Sequence, residues 1–192
     1  DYSSVNGSTI TISAGDTTGT KTFTMTDDSV YEGNENINIE ISNVSTGAYE
    51  NGSQSIDFTI TENESAPTIT LATSATSIAE NSSDTITLTA TASQVADEDI
   101  TVALEASGSG TSTDGTDYSS ITTTITIAAG DTTGTKTFTI TDDSVSEGDE
   151  TIIAIISSVS GGGASESGTQ SVTVTILDND SPQITLTSSV ST

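Results

Sequence analysis

"IAAGDTTGTKTFTITDDSVSEGDETIIAIIS", residues 127–157, decides the fold. Its two ends alternate: Phe138 and Ile140 are spaced by Thr, and Ile152, Ala154 and Ile156 are spaced by two, the period of a strand with one buried face. Between them, residues 141–150 hold five acidic residues in ten positions, and the only basic residue nearby is Lys136. Carboxylates this close repel one another, and burying one without a partner is costly. The stretch therefore reads as two strands joined by a loop that needs a reason for its charge.

Working outward, the same text appears earlier. "ISAGDTTGTKTFTMTDDSVYEGNENINIEIS" at 12–42 is identical at 23 of 31 positions, at an offset of 115. "DYSS" stands at 1 and again at 117, and "TENESAPTITL" at 61–71 is matched by "LDNDSPQITL" at 177–186. Such self-similarity marks a tandem array. The expected organisation is the later part of one repeat over 1–65, a complete repeat over 66–181, and the first strand of a third over 182–192. With neither an initiator Met nor a signal peptide, the chain is expected to be a piece of a longer protein.

In the complete repeat, alternation and turn clusters such as "SGSGTSTDGTD" predict seven strands, near 68–73, 84–93, 99–106, 121–127, 135–141, 150–157 and 170–177. The inward sets are Ile69/Leu71, Ile86/Leu88, Ile100/Val102/Leu104, Ile125/Ile127, Phe138/Ile140, Ile152/Ala154/Ile156 and Val172/Val174/Ile176. Thr fills outward positions, as suits strands in water. The fold class is all-β, an antiparallel β-sandwich in tandem copies. The first copy would supply only its last four strands. Half a sandwich exposes its core face, so upstream sequence or a neighbouring molecule would have to supply the rest, and upstream sequence is the expectation.

Antiparallel succession sends alternate loops to the same end. One end collects Glu80, Asp117, Asp142, Asp143, Glu147, Glu150, Asp178 and Asp180, eight of the complete repeat's 17 acids. Such a set needs a cation. Oxygen ligands without His or Cys suit Ca²⁺, which takes six to eight of them, better than Mg²⁺. The spacing is not that of an EF-hand.

The ordered "DYSS", "AGDTTGTKTFTITDDSVSEGDE" and "LDND" resemble the Calx-beta domain, found in sodium–calcium exchangers and in large bacterial surface proteins. The resemblance spans essentially the whole chain. It implies a seven-stranded immunoglobulin-like sandwich with several Ca²⁺ ions at one tip. It also implies that those eight acids are side-chain ligands and that Val145 contributes its backbone carbonyl. In the first copy Asp1, Asp27, Asp28, Val30, Glu32, Glu35, Glu62 and Glu64 occupy the matching places. That copy ends in "TENE" rather than "LDND" and lacks a counterpart of Glu80.

The 192 residues carry 28 acidic residues, two lysines and a net charge of −26. That balance argues against nucleic acid and anionic membranes as partners. No apolar run is long enough for membrane insertion. Without His or Cys there is no Ser–His or Cys–His nucleophile system, so an enzyme is not expected. The expected function is a calcium-binding structural repeat that stiffens a long extracellular or cell-surface adhesin or filament. The alternative is a calcium-sensing regulatory module of a membrane transporter. Near-identical copies favour the first. Partners would be calcium ions and neighbouring repeats, with lateral self-assembly through Ile153 and Ile155, which make the strand at 150–157 apolar on both faces. The short linker "SAP" should also bring the first copy's tip against the acidic loop Asp97, Glu98 and Asp99 of the second.

Overall fold

A computed structural model describes residues 2–188. Its strands are β1 (Glu35–Glu40), β2 (Ser55–Ile60), β3 (Thr68–Thr73), β4 (Ser77–Ala79), β5 (Thr85–Ala92), β6 (Ile100–Ala106), β7 (Thr123–Ile127), β8 (Thr133–Thr139), β9 (Glu150–Ser160), β10 (Ser165–Glu166) and β11 (Ser171–Leu177). From β3 onward they form two sheets, β10-β3-β5-β8 and β4-β11-β9-β6-β7. This is an all-β sandwich, and each of the seven expected strands is present in it. Two short strands, β4 and β10, were not expected. They make the only parallel pairings among the described strands, β4 with β11 and β10 with β3.

The alternation in sequence becomes burial in space. Ile69, Ile86, Leu88, Ile100, Val102, Leu104, Ile125, Ile127, Ile152 and Val174 are almost wholly inaccessible and face one another between the sheets. Each such side chain contributes about 1.5–3 kcal/mol relative to exposure. Ile140 and Val172, at strand ends, are only partly buried and pack against the margin of this core. Where the chain passes from β7 to β8 the backbones come close: a Cβ at Gly134 would collide with the backbone carbonyl of Thr126. Ile153 and Ile155, on the outer face of β9, are half-buried. Beside Ile153 runs the loop after β6, held by Ser107 N–H to the Ile153 carbonyl (2.8 Å) and Thr111 N–H to the Thr151 carbonyl (3.0 Å).

The first copy departs from expectation. Of its four expected strands only the last two form, as the β1–β2 hairpin. The earlier pair is reduced to a bridge between Tyr2 and Met25. The physical reason is the absence of neighbours: β8 is held by β5 in the second copy, and the described residues before β1 have no such strand beside them. Ile37 is the one buried aliphatic side chain described in this copy, while Ile10, Ile12, Ile56 and Phe58 lie exposed. Even so, Gly19 approaches the Thr11 carbonyl as Gly134 approaches that of Thr126, so the local crossing is repeated. Residues 182–188 pair with no strand, and Ile184 and Leu186 stand in solvent. The strand expected there for a third repeat would need a sheet to join.

Candidate metal centre

Glu80 is the starting point. It follows β4, whose parallel pairing with β11 is closed by Glu80 N–H to the Leu177 carbonyl (3.0 Å). It is 7% exposed and is the only buried charged residue described. Burial raises its pKa first, and the charges of Asp143, Asp178 and Asp180 add to the shift, while an N–H bond from Asp143 opposes it.

Seven of the eight expected acids of the complete repeat converge around it in three groups: Glu80 with Asp142 and Asp180, Glu80 with Asp143 and Glu147, and Asp117 with Glu147 and Glu150. Within each group the facing oxygens lie within 4.8 Å of one another. Asp117 is placed by its neighbour. Tyr118 is buried and packs edge-on to Phe138, with ring centres 6.1 Å apart, and Thr141 N–H bonds to the Asp117 carbonyl at 2.8 Å. The Asp-Tyr pair thus sets a carboxylate at the tip beside a buried aromatic anchor. Burial, then the Asp117 charge, pushes Glu150 up to about 7. Burial also raises Glu147 and Asp180, each with further help from neighbouring carboxylates. Asp180 Oδ2 is buried with no hydrogen-bond partner, the one such side-chain atom among the described residues.

The eighth acid, Asp178, does a different job. Its Oδ2 accepts from the N–H groups of Gly148 (2.8 Å) and Glu147 (3.1 Å), and its Oδ1 accepts from Asp180 N–H (2.9 Å). These bonds hold its pKa below the usual carboxylate range, with Asp180 N–H the largest contributor. Asp178 clasps the 141–149 loop to the end of β11. Val145 lies exposed on that loop, and its N–H donates to Asp143 Oδ1 at 2.7 Å.

The first copy repeats this clasp. Glu62 Oε2 accepts from Glu32 and Gly33 N–H (both 2.6 Å), and Oε1 from Glu64 N–H (2.9 Å), which brings its pKa down to about 2. Val30 N–H donates to Asp28 Oδ1 (2.8 Å), as Val145 does to Asp143. Asp27, Asp28, Glu32, Glu35, Glu62 and Glu64 line one small cleft of about 30 Å³. Burial, then Asp28 and Glu35, raises Glu32; the bond shared with Glu62 raises Glu64. The described residues give no tight triad here, since all three groups lie in the second copy. Asp1 lies outside the described residues.

Two further residues belong to the construction. Asp149 Oδ1 accepts from Asp178 N–H (3.2 Å), and Asn34 Oδ1 accepts from Glu62 N–H (2.9 Å). They occupy the same place in the two copies, and both offer an Oδ1 acceptor three bonds from Cα. A shared Asn/Asp at that place was the signal available in sequence.

A sandwich whose tip gathers carboxylates from four chain segments is a β-sandwich module with acidic groups that could hold a metal ion. The chain belongs to the Calx-beta domain family, whose family model matches residues 62–180. Residues 3–63 match the model of the LapA domain. Among solved structures, the apo-form Calx CBD1 domain is similar at a TM-score of 0.49 and 22% identity, over 59% of this chain and 99% of that one. CBD12 from CALX1.2 gives 0.48 and 23%, over 54% and 42%. The Calx CBD2 domain gives 0.45 and 12%, over 57% and 86%. The comparison with curated proteins finds no match.

Proposed function

We propose that this chain is a calcium-binding, non-catalytic structural module that stiffens a long extracellular or cell-surface protein such as an adhesin or filament. Membership of the Calx-beta family, a family of calcium-binding modules, supports the calcium part. The observation that carries it is the buried, partnerless Asp180 Oδ2 amid carboxylates that mutual repulsion should drive apart. An all-oxygen donor set with at least seven converging carboxylates fits a hard cation with a large coordination shell. When bound, Ca²⁺ would neutralise that set. Glu80, Asp117, Asp142, Asp143, Glu147, Glu150 and Asp180 would hold it, with the Val145 carbonyl as a further donor and Asp178 fixing the loop. In the first copy Asp27, Asp28, Glu32, Glu35, Glu62 and Glu64 would play these parts, with the Val30 carbonyl.

The stiffening role is supported by the near-identity of the copies and by the short connection between them, in which Pro67 is buried. No helix among the described residues is long and apolar enough to cross a membrane. Lateral association through Ile153 and Ile155, which the chain itself half covers, is a further element of the proposal. The test is small-angle scattering of the full chain in Ca²⁺ and in EDTA at matched ionic strength, beside Ca²⁺ titration calorimetry. The expected result is binding together with a longer, less variable particle. Binding with unchanged dimensions would favour the sensing alternative, and no binding would overturn both.

A further inference from the structure

The two copies meet through a contact that uses none of the carboxylates. In the first copy's 29–33 loop, Tyr31 N–H donates to the Val95 carbonyl (3.0 Å), and Asp97 N–H donates back to the Tyr31 carbonyl (3.2 Å). These bonds make a one-residue parallel bridge to Ala96, in the loop between β5 and β6. The Tyr31 ring continues past it to the loop between β9 and β10. There the chain reads Gly161-Gly162-Gly163, all at positive φ. A Cβ on Gly163 would collide with the Tyr31 ring, with Cζ 2.8 Å away. Only a residue without a side chain leaves room for the ring.

Plug and socket are also distributed unevenly. At the place of Tyr31 the second copy has Ser146, whose hydroxyl turns inward to Asp178 Oδ2 at 3.3 Å. Where the second copy has three glycines, the first copy's corresponding loop reads Ser45-Thr46-Gly47-Ala48. The matched pair occurs at this junction and within neither copy alone. The expected meeting of the first copy's tip with the Asp97–Asp99 loop therefore takes place, but through main-chain bonds and an aromatic ring. Asp99 turns to its own domain and accepts from Ala129 N–H at 2.8 Å.

We propose that Tyr31 and the glycine cradle at 161–163 form a dedicated inter-repeat coupling, with the residue at the Tyr31 position deciding whether a repeat grips the one that follows. The contact is made of main-chain bonds and a ring against glycine rather than of the carboxylates, so it goes beyond the metal-binding reading and can fail independently of it.

The test is amide hydrogen exchange on the full chain in EDTA, read by NMR at Tyr31 and Asp97. Both amides should be protected in the wild type and in Tyr31→Phe. In Tyr31→Ser and Gly163→Ala, Asp97 should exchange roughly tenfold faster or more, as expected for loss of a local closed state. Gly168→Ala is the control for backbone strain, because Gly168 also has positive φ (69°) but open space at its Cβ position. It should leave Asp97 protected. Exchange at Asp97 that is indifferent to Tyr31→Ser, or that rises equally in Gly163→Ala and Gly168→Ala, would overturn the coupling. Because metal is absent throughout, neither result bears on calcium binding.

Discussion

Glu80→Gln should act in opposite directions with and without calcium. Glu80 is 7% exposed and shares close oxygen–oxygen contacts, within 4.8 Å, with two pairs of carboxylates: Asp142 with Asp180, and Asp143 with Glu147. At that distance each like-charge contact costs about 1 kcal/mol with full water screening, and about 3 kcal/mol at an effective dielectric constant near 20. Gln removes the charge but keeps a carbonyl oxygen for the Asp143 N–H. In EDTA at pH 8, the variant should be about 2 kcal/mol more stable, which for a domain of this size raises the midpoint by about 8 °C. In Ca²⁺ at a hundredfold excess over Kd, the wild type gains about 2.7 kcal/mol. The variant should lose most of that gain, since two of the three carboxylate groups include Glu80. Differential scanning calorimetry of both proteins in both buffers gives four midpoints whose order should cross. A lower midpoint for the variant in EDTA, or an equal calcium increment in both proteins, would refute the reasoning.

Acidity should stabilise the metal-free protein. Burial and neighbouring charge raise Glu80, Glu147, Glu150 and Asp180, so their contribution is fully present below the ordinary carboxylate pKa and is lost as pH rises through the shifted one, about 7 for Glu150. Lowering pH from 8 to 5 in EDTA should raise the stability, by about 1 kcal/mol from Glu150 after solvent screening, and with it the midpoint. The lowered groups Asp178 and Glu62 withdraw their support only in stronger acid; a midpoint that falls steadily from pH 8 to 5 would contradict this. Ile125→Ala, at a site 1% exposed, should cost about 3 kcal/mol in urea unfolding, against under 1 kcal/mol for the exposed Thr124→Ala. Gly134→Ala should cost about 2 kcal/mol, because the Thr126 carbonyl it would strike is backbone; stability equal to wild type would mean that the β7–β8 crossing has slack.

Much of the sandwich was legible because its signal is local. Ile86/Leu88 and Ile100/Val102/Leu104 carry their period in the chain itself, whatever they face. β4 and β10 span only three and two residues, too short to show a period, and exist because β11 and β3 offer partners to them. The missing pair of strands before β1 makes the converse point: "TKTFTMT" at 20–26 nearly repeats "TKTFTIT" at 135–141, yet only the latter has β5 beside it. Sequence supplied the pattern and the neighbour decided the outcome. At the tip, the acids could be grouped because alternating loops share an end. The division of labour could not be read, because Asp178 and Asp180 are chemically identical in sequence. Their difference lies in which one meets the N–H groups of residues 147 and 148.

The parallel pairing of β4 with β11 bears on how the repeat would carry load in the proposed array. Thr175 N–H donates to the Thr76 carbonyl (2.9 Å) and Glu80 N–H to that of Leu177 (3.0 Å), with Ile78 and Ile176 in register between them. Both strands run toward the carboxylate tip, while the repeat is entered at the opposite end through Pro67 and β3. Tension along the proposed array would therefore pull β4 and β11 in opposite senses along their length. Their bonds are strained together, in shear, and none can open first as in a zipper. Rupture is then governed by the unfolding barrier rather than by equilibrium stability. The strand pair that delivers Glu80 to the tip is also the one that a pull must break.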